Sequence, residues 1–399
     1  MIFQKKQFLY LFPILLFWHT LLFYGIPFEI QLLLLFLLIA LCFLYKLAEI
    51  SLITFSFLFI TLILEVFLRV TGLGTSMFFR PTEMLRIGNN EFGYVYQPNR
   101  DMKMNSPYGD LEATMGVNIN EPREIEFVTD NLGFRNTKSY TDQKFFLVGD
   151  SFAMGEGSTQ NCVITEVMRS KYQQNIYNLA HSGNQPWDYL NHIESFVKLN
   201  PSHPKAIVMF FEGNDFERYE YHSYGTNINH PYQDFFKTTN VFRYTRWLYL
   251  RATKPKEKDG GPIVKKINGH LIGFSSWYEY NVKRKEPLSE EYMQWSKFFN
   301  RLDGEISLVI FVPDKYRVYG PLLDEPETNP LPNRNWEYLQ SLAIEHKIPT
   351  LNLTQPLFEK AKKEKDNDNF VFWLGDTHWN CEGMATAAFE LNNVLKSFN

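Results

Sequence analysis

Ser151 is the residue of this chain on which chemistry can be built. It ends the run Phe145-Phe-Leu-Val-Gly-Asp-Ser151, in which an apolar stretch gives way to a glycine, an acid and a hydroxyl. A short apolar run is the pattern of a fully buried strand, and the carboxyl end of such a strand is where open α/β sheets place their reactive groups. Gly155 and Gly157 keep the next loop close to the backbone, and helical periodicity resumes near Val163. Ser151 is therefore expected on the turn between a strand and a helix, with its hydroxyl facing outward. A hydroxyl placed there becomes a nucleophile if a base takes its proton. It can equally serve as a helix N-cap.

The elements that must position Ser151 emerge from the pattern after residue 144. Strands are expected at Phe145–Val148, Ile176–Leu179, Ala206–Phe211, Ile306–Val312 and Thr350–Leu353. Helices are expected at Val163–Tyr172, Trp187–Lys198, Glu290–Arg301 and Asn335–His346. Such alternation implies an α/β fold, a parallel sheet of about five strands with helices on both faces. Residues 216–289 are long for a connection and include the turn-rich Lys254-Pro-Lys-Glu-Lys-Asp-Gly-Gly261. They read as an insertion that shapes access to the site. Residues 71–140 read as a linker and small β-rich region, with strands around Glu91–Pro98 and Glu124–Thr129, placed to form one wall of the site.

Four short motifs line up behind these strands. Gly149-Asp-Ser151 ends the first, Asn178-Leu-Ala-His-Ser-Gly183 the second and Gly213-Asn214-Asp215 the third, while Asp376-Thr-His378-Trp precedes the C-terminal helix. In order and identity they resemble the four signature blocks of the SGNH (GDSL-like) hydrolase superfamily, over residues 140–395. The resemblance implies a flavodoxin-like three-layer sandwich and acyl-ester chemistry. In that chemistry His378 takes the proton from Ser151, and Asp376 holds the imidazole in the right tautomer. By the same resemblance the oxyanion is held by the backbone N–H groups of Ser151 and Gly183 and by the side-chain amide of Asn214. The absence of a Cβ at Gly183 would let the backbone approach the substrate. No metal or organic cofactor is implied.

Two departures bear on the site. The last block of the family is usually Asp-x-x-His, whereas Asp376 and His378 are one residue apart. The shorter form occurs among membrane-anchored and polysaccharide-modifying relatives, and it leaves open whether Asp376 or a backbone carbonyl orients the imidazole. The segment Asp314-Lys315-Tyr-Arg317 resembles a Pro-x-Lys-x-x-x-Tyr pattern of alginate O-acetyltransferase-like relatives, although there the Asp-x-His element precedes the serine. Lys315 or Arg317 facing the site would suit an anionic saccharide, and a surface charge pair is the equal alternative for both. His181 is a further candidate for substrate contact, with a structural role as its alternative. Asp150 and Asp215 are expected to hold their turns, and Trp379 to pack beside His378.

The rest of the chain speaks of location. Of 399 residues, 40 are Lys or Arg and 44 Asp or Glu, a net charge of −4 with no basic stripe, so nothing suggests a nucleic-acid partner. Residues 1–70 are almost wholly apolar, in three runs, Phe8–Tyr24, Phe28–Tyr45 and Ile50–Val70. Each is close to the roughly 20 residues that cross a bilayer, and no signal-peptide cleavage site is evident. Lys5, Lys6 and Lys46 put the N-terminus and the second break on the cytoplasmic side, so three crossings deliver residue 71 onward to the extracytoplasmic side. Two crossings would leave it inside. Glu65 and Arg69 are spaced to pair on one helix face. Of the three cysteines, Cys42, Cys162 and Cys381, the last two could bridge outside the cytoplasm. The low, odd count argues against a disulfide-built scaffold, and whether these two are bridged stays open.

Together these readings imply a membrane-anchored serine esterase or O-acyltransferase acting on a cell-envelope glycan or saccharide, with a polytopic acyl-donor protein as a possible partner. The competing reading is a non-catalytic glycan-binding or scaffolding subunit of a membrane complex. Ser151 turned away from His378 would favour it.

Overall fold

The computed structural model describes residues 85–106, 108–115, 119–216, 262–286 and 295–398, and besides these Ser56, Phe59, Ile60, 62–68, Thr82 and Val241. The first two apolar runs, most of the third, Arg69 and the loop from Lys254 to Gly261 lie outside the described residues. Among the described residues no helix is long and apolar enough to cross a membrane. The chain divides into two compact units, Met1–Thr75 with His230–Lys254, and Ser76–Asn229 with Pro255–Asn399. In the first, residues 62–68 are helical, and the Glu65 carboxylate accepts a hydrogen bond from the Val241 N–H at 2.9 Å.

The second unit carries eleven strands among the described residues: β1 (Arg86–Asn89), β2 (Gly93–Tyr96), β3 (Asp101–Ser106), β4 (Arg123–Val128), β5 (Phe145–Val148), β6 (Ile176–Asn178), β7 (Lys205–Phe211), β8 (Pro262–Ile267), β9 (His270–Ser275), β10 (Ile306–Val312) and β11 (Thr350–Asn352). Five of them form one sheet in the order β11-β10-β7-β5-β6, with every pairing parallel. That is the flavodoxin-like order, in which the chain reverses direction between β5 and β7 and leaves a crevice at the carboxyl ends of the strands. Ser151 follows β5, beside that reversal.

Parallel strands buried on both faces read as continuous apolar runs, which is why β5, β7 and β10 are legible in the sequence. Along β7, Ile207, Met209 and Phe211 face one core and Ala206, Val208 and Phe210 the other. The helices are α1 (Asp110–Met115), α2 (Ser151–Met154), α3 (Ile164–Tyr172), α4 (Pro186–Leu199), α5 (Ser276–Lys283), α6 (Trp295–Arg301), α7 (Lys315–Tyr319), α8 (Arg334–Glu345), α9 (Thr354–Glu364) and α10 (Cys381–Lys396). Ile164 of α3, Leu357 of α9 and Leu391 of α10 enter the first core, and Leu190 of α4, Phe299 of α6 and Leu339 of α8 the second. The unit is thus a three-layer α/β sandwich.

Three antiparallel pairs surround the sheet. β1 pairs with β2, and β8 with β9 through a turn at Asn268-Gly269, both with positive φ. This Asn-Gly hairpin, followed by α5, is structured chain within the stretch expected to be an insertion, and its turn signal is present in the sequence. β3 pairs with β4 from Asp101↔Val128 to Ser106↔Arg123. This ladder closes over residues 107–122, and so brings α1 and Arg123 to the same place.

Cys162 and Cys381 form a disulfide, with Cα atoms 5.0 Å apart at a sequence separation of 219. The sequence leaves this pairing open, and the fold decides it. The low count is silent on the fact that α3 and α10 pack side by side, which brings their N-terminal ends together. A bridge closing so long a loop restricts the unfolded chain strongly. The double variant Cys162→Ser/Cys381→Ser should therefore lose about 2–4 kcal/mol of unfolding free energy. Chemical denaturation without reductant reads this directly, and an unchanged midpoint would reject it.

Candidate active site

The turn that carries Ser151 is fixed by three features. Asp150 caps α2, its carboxylate accepting from the Phe152 N–H at 2.9 Å. Gly149 has to be glycine, because a Cβ would lie 2.6 Å from that of Ala153. Gly155 ends α2 in the left-handed region at φ 86°. The second block is tied alongside, with Leu179 N–H donating to Leu147 O at 2.8 Å and His181 N–H to Gly149 O at 3.3 Å. In the third block Asp215 holds its turn, accepting from Phe211 N–H at 2.8 Å and from the Tyr189 hydroxyl at 3.0 Å. Burial pushes the Asp150 carboxyl up to about 6, against the Phe152 N–H, the field of His378 and the Asn214 amide.

Ser151 is only 8 % exposed, and its hydroxyl faces His378 rather than outward. His378 Nε2 lies 2.7 Å from Ser151 Oγ, and His378 Nδ1 lies 2.6 Å from Asp376 Oδ1. The same carboxylate oxygen accepts from the His378 backbone N–H at 3.0 Å. One intervening residue is therefore enough, because Asp376 folds back over its own loop. The side chain of Asp376, not a backbone carbonyl, meets the imidazole. Phe152 packs 4.9 Å from the His378 ring, and Trp379 packs edge-on against Phe152 at 5.4 Å.

The loop bearing Asp376 and His378 is held from beneath. Phe372 bridges Trp379, Trp373 N–H donates to His378 O at 3.1 Å, and Asn380 N–H to Val371 O at 3.1 Å. Lys315 Nζ lies inside this loop and donates to the carbonyls of Trp373 (2.7 Å), Leu374 (2.8 Å), Asp376 (3.0 Å) and, from β9, Gly273 (2.8 Å). The Tyr319 hydroxyl, one turn further along α7, accepts from Val371 N–H at 2.8 Å. Burial pulls the Lys315 ammonium down to about 8, against the carboxylates of Glu121, Asp376 and Asp110.

These contacts correct the substrate-facing reading of Lys315 and Arg317. Lys315 is 2 % exposed and its three protons serve backbone carbonyls. Arg317 is paired with the buried carboxylate of Glu212, at 2.9 and 2.7 Å from Nε, and donates to Asn333 and Pro332. Neither side chain is on the surface as a charge pair. His181 is 1 % exposed, stacked on Tyr96 at 4.4 Å, with Nδ1 2.9 Å from Ser182 O. Burial, reinforced by Arg86 and His192, keeps it well below the usual histidine range and therefore neutral. Gly183 has φ +83°, yet a Cβ there would meet nothing nearer than Arg86 Nη1 at 3.9 Å. Backbone conformation, not crowding, is what demands glycine. Asn214 is half-buried beside Asp150.

Two residues at the site carry no motif. Arg123 Nη1 lies 2.9 Å from Asp376 Oδ2, with side chains 3 % and 7 % exposed. Asp110 Oδ1 accepts from Thr377 N–H at 2.8 Å, and its Oδ2 lies 3.7 Å from His378 Nδ1. Burial alone would raise the Asp376 carboxyl, but Arg123 and then His378 hold it well below the usual carboxylate range. Asp110, Asp376 and His378 bring possible metal-ligating atoms within 4.8 Å of one another. The Arg123 guanidinium on Asp376 disfavours a second cation there.

No family profile matches the chain, and no curated protein does. Among solved structures it is similar to a member of the lipolytic protein G-D-S-L family from Veillonella parvula, 14 % identical, covering 63 % of this chain and 97 % of that one at a TM-score of 0.33. It is also similar to the protein YXIM from Bacillus subtilis, 12 % identical, covering 76 % and 75 % at a TM-score of 0.35. Likenesses at these scores carry no argument, and the functional reading rests on the geometry of the site.

Replacing Lys315 by Met would leave buried carbonyls of the Asp376 loop without their donor. The expected cost is about 3 kcal/mol or more of stability. Urea unfolding of Lys315→Met beside wild type measures it, and a change below about 1 kcal/mol, the worth of one ordinary hydrogen bond, would refute the loop-holding role.

Proposed function

We propose that this chain is a serine-dependent acyl-ester hydrolase or O-acyltransferase. One observation carries the reading: Ser151 Oγ, His378 and Asp376 form a continuous hydrogen-bonded relay at 2.7 and 2.6 Å, at the carboxyl end of the sheet. A serine facing an imidazole that is in turn held by a buried carboxylate is a nucleophile with its base attached.

In the proposed reaction Ser151 Oγ attacks the acyl carbon while its proton passes to His378 Nε2. The oxyanion is held by the N–H groups of Ser151 and Gly183 and by the Asn214 amide. Collapse breaks the ester bond, and the leaving alkoxide takes the proton from His378, leaving acyl-Ser151. Water or a sugar hydroxyl then attacks the acyl carbon and gives its proton to His378; collapse breaks the acyl–Oγ bond, and Ser151 Oγ takes that proton back from His378. Hydrolysis and transfer differ only in which acceptor reaches the acyl group. The contact between Ser151 and His378 speaks against the non-catalytic reading.

The proposed setting is a membrane anchor in residues 1–70, with residues 71–399 outside the cytoplasm and a cell-envelope glycan or saccharide as substrate. The three apolar runs, the placement of Lys5, Lys6 and Lys46, and a Cys162–Cys381 bridge suited to an oxidising compartment support it. A polytopic acyl-donor protein is the proposed partner if transfer is the reaction.

The test uses the purified full-length chain with a chromogenic acetyl ester and with a fluorophosphonate. Ser151→Ala should lower turnover by about 10³-fold or more and abolish labelling. A folded wild-type chain that neither turns over nor labels would remove the proposal of autonomous catalysis.

A further inference from the structure

The relay holds one acid more than a serine triad needs, and a cation besides. Asp376 is shared: its Oδ1 takes the His378 Nδ1 contact at 2.6 Å, and its Oδ2 the Arg123 guanidinium at 2.9 Å. Arg123 has no second carboxylate partner among the described residues. Its Nη1 also reaches Gly157 O at 3.4 Å and its guanidinium lies 4.2 Å over the Trp373 ring, while Nε and Nη2 are buried without hydrogen-bond partners. Its charge is therefore directed at Asp376.

Asp110 arrives from the other side. Gly109 and Gly375 allow the close approach, since a Cβ on Gly109 would lie 2.2 Å from Gly375 O. Asp110 N–H donates to Asp376 Oδ2 at 3.3 Å, Thr377 donates to both Asp110 oxygens, and Asp110 Oδ2 stands 3.7 Å from His378 Nδ1. Two carboxylates so close to one imidazole nitrogen would compete for a proton if no cation were present. With Arg123 included the set carries a single negative charge, the amount an imidazolium needs opposite it.

We propose that Asp110 and Arg123 are positioning residues that jointly set the charge facing His378, Arg123 offsetting one of two carboxylates and Asp110 restoring the net negative charge. Its bearing on catalysis rests on the serine-enzyme reading above, whereas the charge set itself does not. The other charged groups around the imidazole are Asp150 next to Ser151, Lys315 on the Asp376 carbonyl, Glu121 on Gly375 N–H, and Glu112 on Gly109 N–H. None of them contacts Nδ1 in the described hydrogen bonds. Asp110 and Arg123 both touch the Asp376 carboxylate directly and can be changed with opposite sign there.

The opposite signs supply the test. His378 is titrated in the full-length chain by histidine-selective isotope labelling and NMR, with its signal assigned by loss in His378→Asn. The pH profile of fluorophosphonate labelling is measured in parallel. Asp110→Asn should lower the His378 midpoint, and Arg123→Met should raise it, each by about one pH unit or more. The double variant should return towards wild type, and Arg123→Lys, which keeps the cation, should stay near it. A purely structural role would move neither midpoint. Unmoved midpoints, shifts of the same sign, or a double variant that fails to return overturn the proposal. If Arg123→Met does not fold, the isosteric Asp110→Asn still decides it by its direction. Shifts as stated in a chain that never labels would uphold the charge set and remove the serine-enzyme reading. Labelling with unmoved midpoints would do the reverse.

Discussion

A single buried ammonium holds the loop on which the site depends. Lys315 Nζ sits among the carbonyls of Trp373, Leu374, Asp376 and Gly273. An irregular loop that leaves the surface has backbone carbonyls with no strand or helix to satisfy them. A lysine that supplies three donors from a neighbouring helix resolves that, and Tyr319 does the same for the Val371 N–H. The cost is a desolvated charge, visible in the lowered affinity of Lys315 for its proton. The loop so held is a platform from which Asp376 and His378 meet Ser151, a residue 227 positions away from His378 in sequence.

The sheet supplies the opposite side of the meeting. Because the five strands are parallel and their order reverses next to β5, the turns after β5, β6 and β7 lie together at one end of the sheet. Ser151, Gly183 and Asn214 each come within a few residues of the end of one of those strands. The antiparallel β3–β4 ladder then adds a third contribution, delivering Asp110 and Arg123 from a part of the chain outside the sheet. The acid of the relay is thus held between the Arg123 guanidinium and the Asp110 backbone, so its ionised state is fixed by neighbours rather than by solvent.

The same logic explains which motif residues meet at the relay and which serve the scaffold. Lys315, Arg317 and His181 are charged or titratable types placed next to strand ends, which is the pattern of substrate contacts. In the fold each is spent on structure: a loop, an ion pair with Glu212, and a stack on Tyr96. Residue type and proximity in sequence do not record which way a side chain is turned. All five residues of the short helix α7 are buried, so none of its charged side chains is left for a ligand.

The layered α/β architecture is legible in the amino-acid sequence, since strands covered on both faces must be written as unbroken apolar runs and these need no knowledge of the partner strand. The residues able to form the relay are legible too, because a strand-ending serine and a late Asp-x-His are local patterns. So is the Asn-Gly turn of β8 and β9, although it lies in a stretch whose length and composition point to a loop-like insertion. Two things came from the folded chain alone: the pairing of Cys162 with Cys381, and the presence of Asp110 and Arg123 at the site. Those contacts join segments far apart in the chain, and hydrogen bonds and ion pairs between such segments leave no periodicity for a local reading to detect.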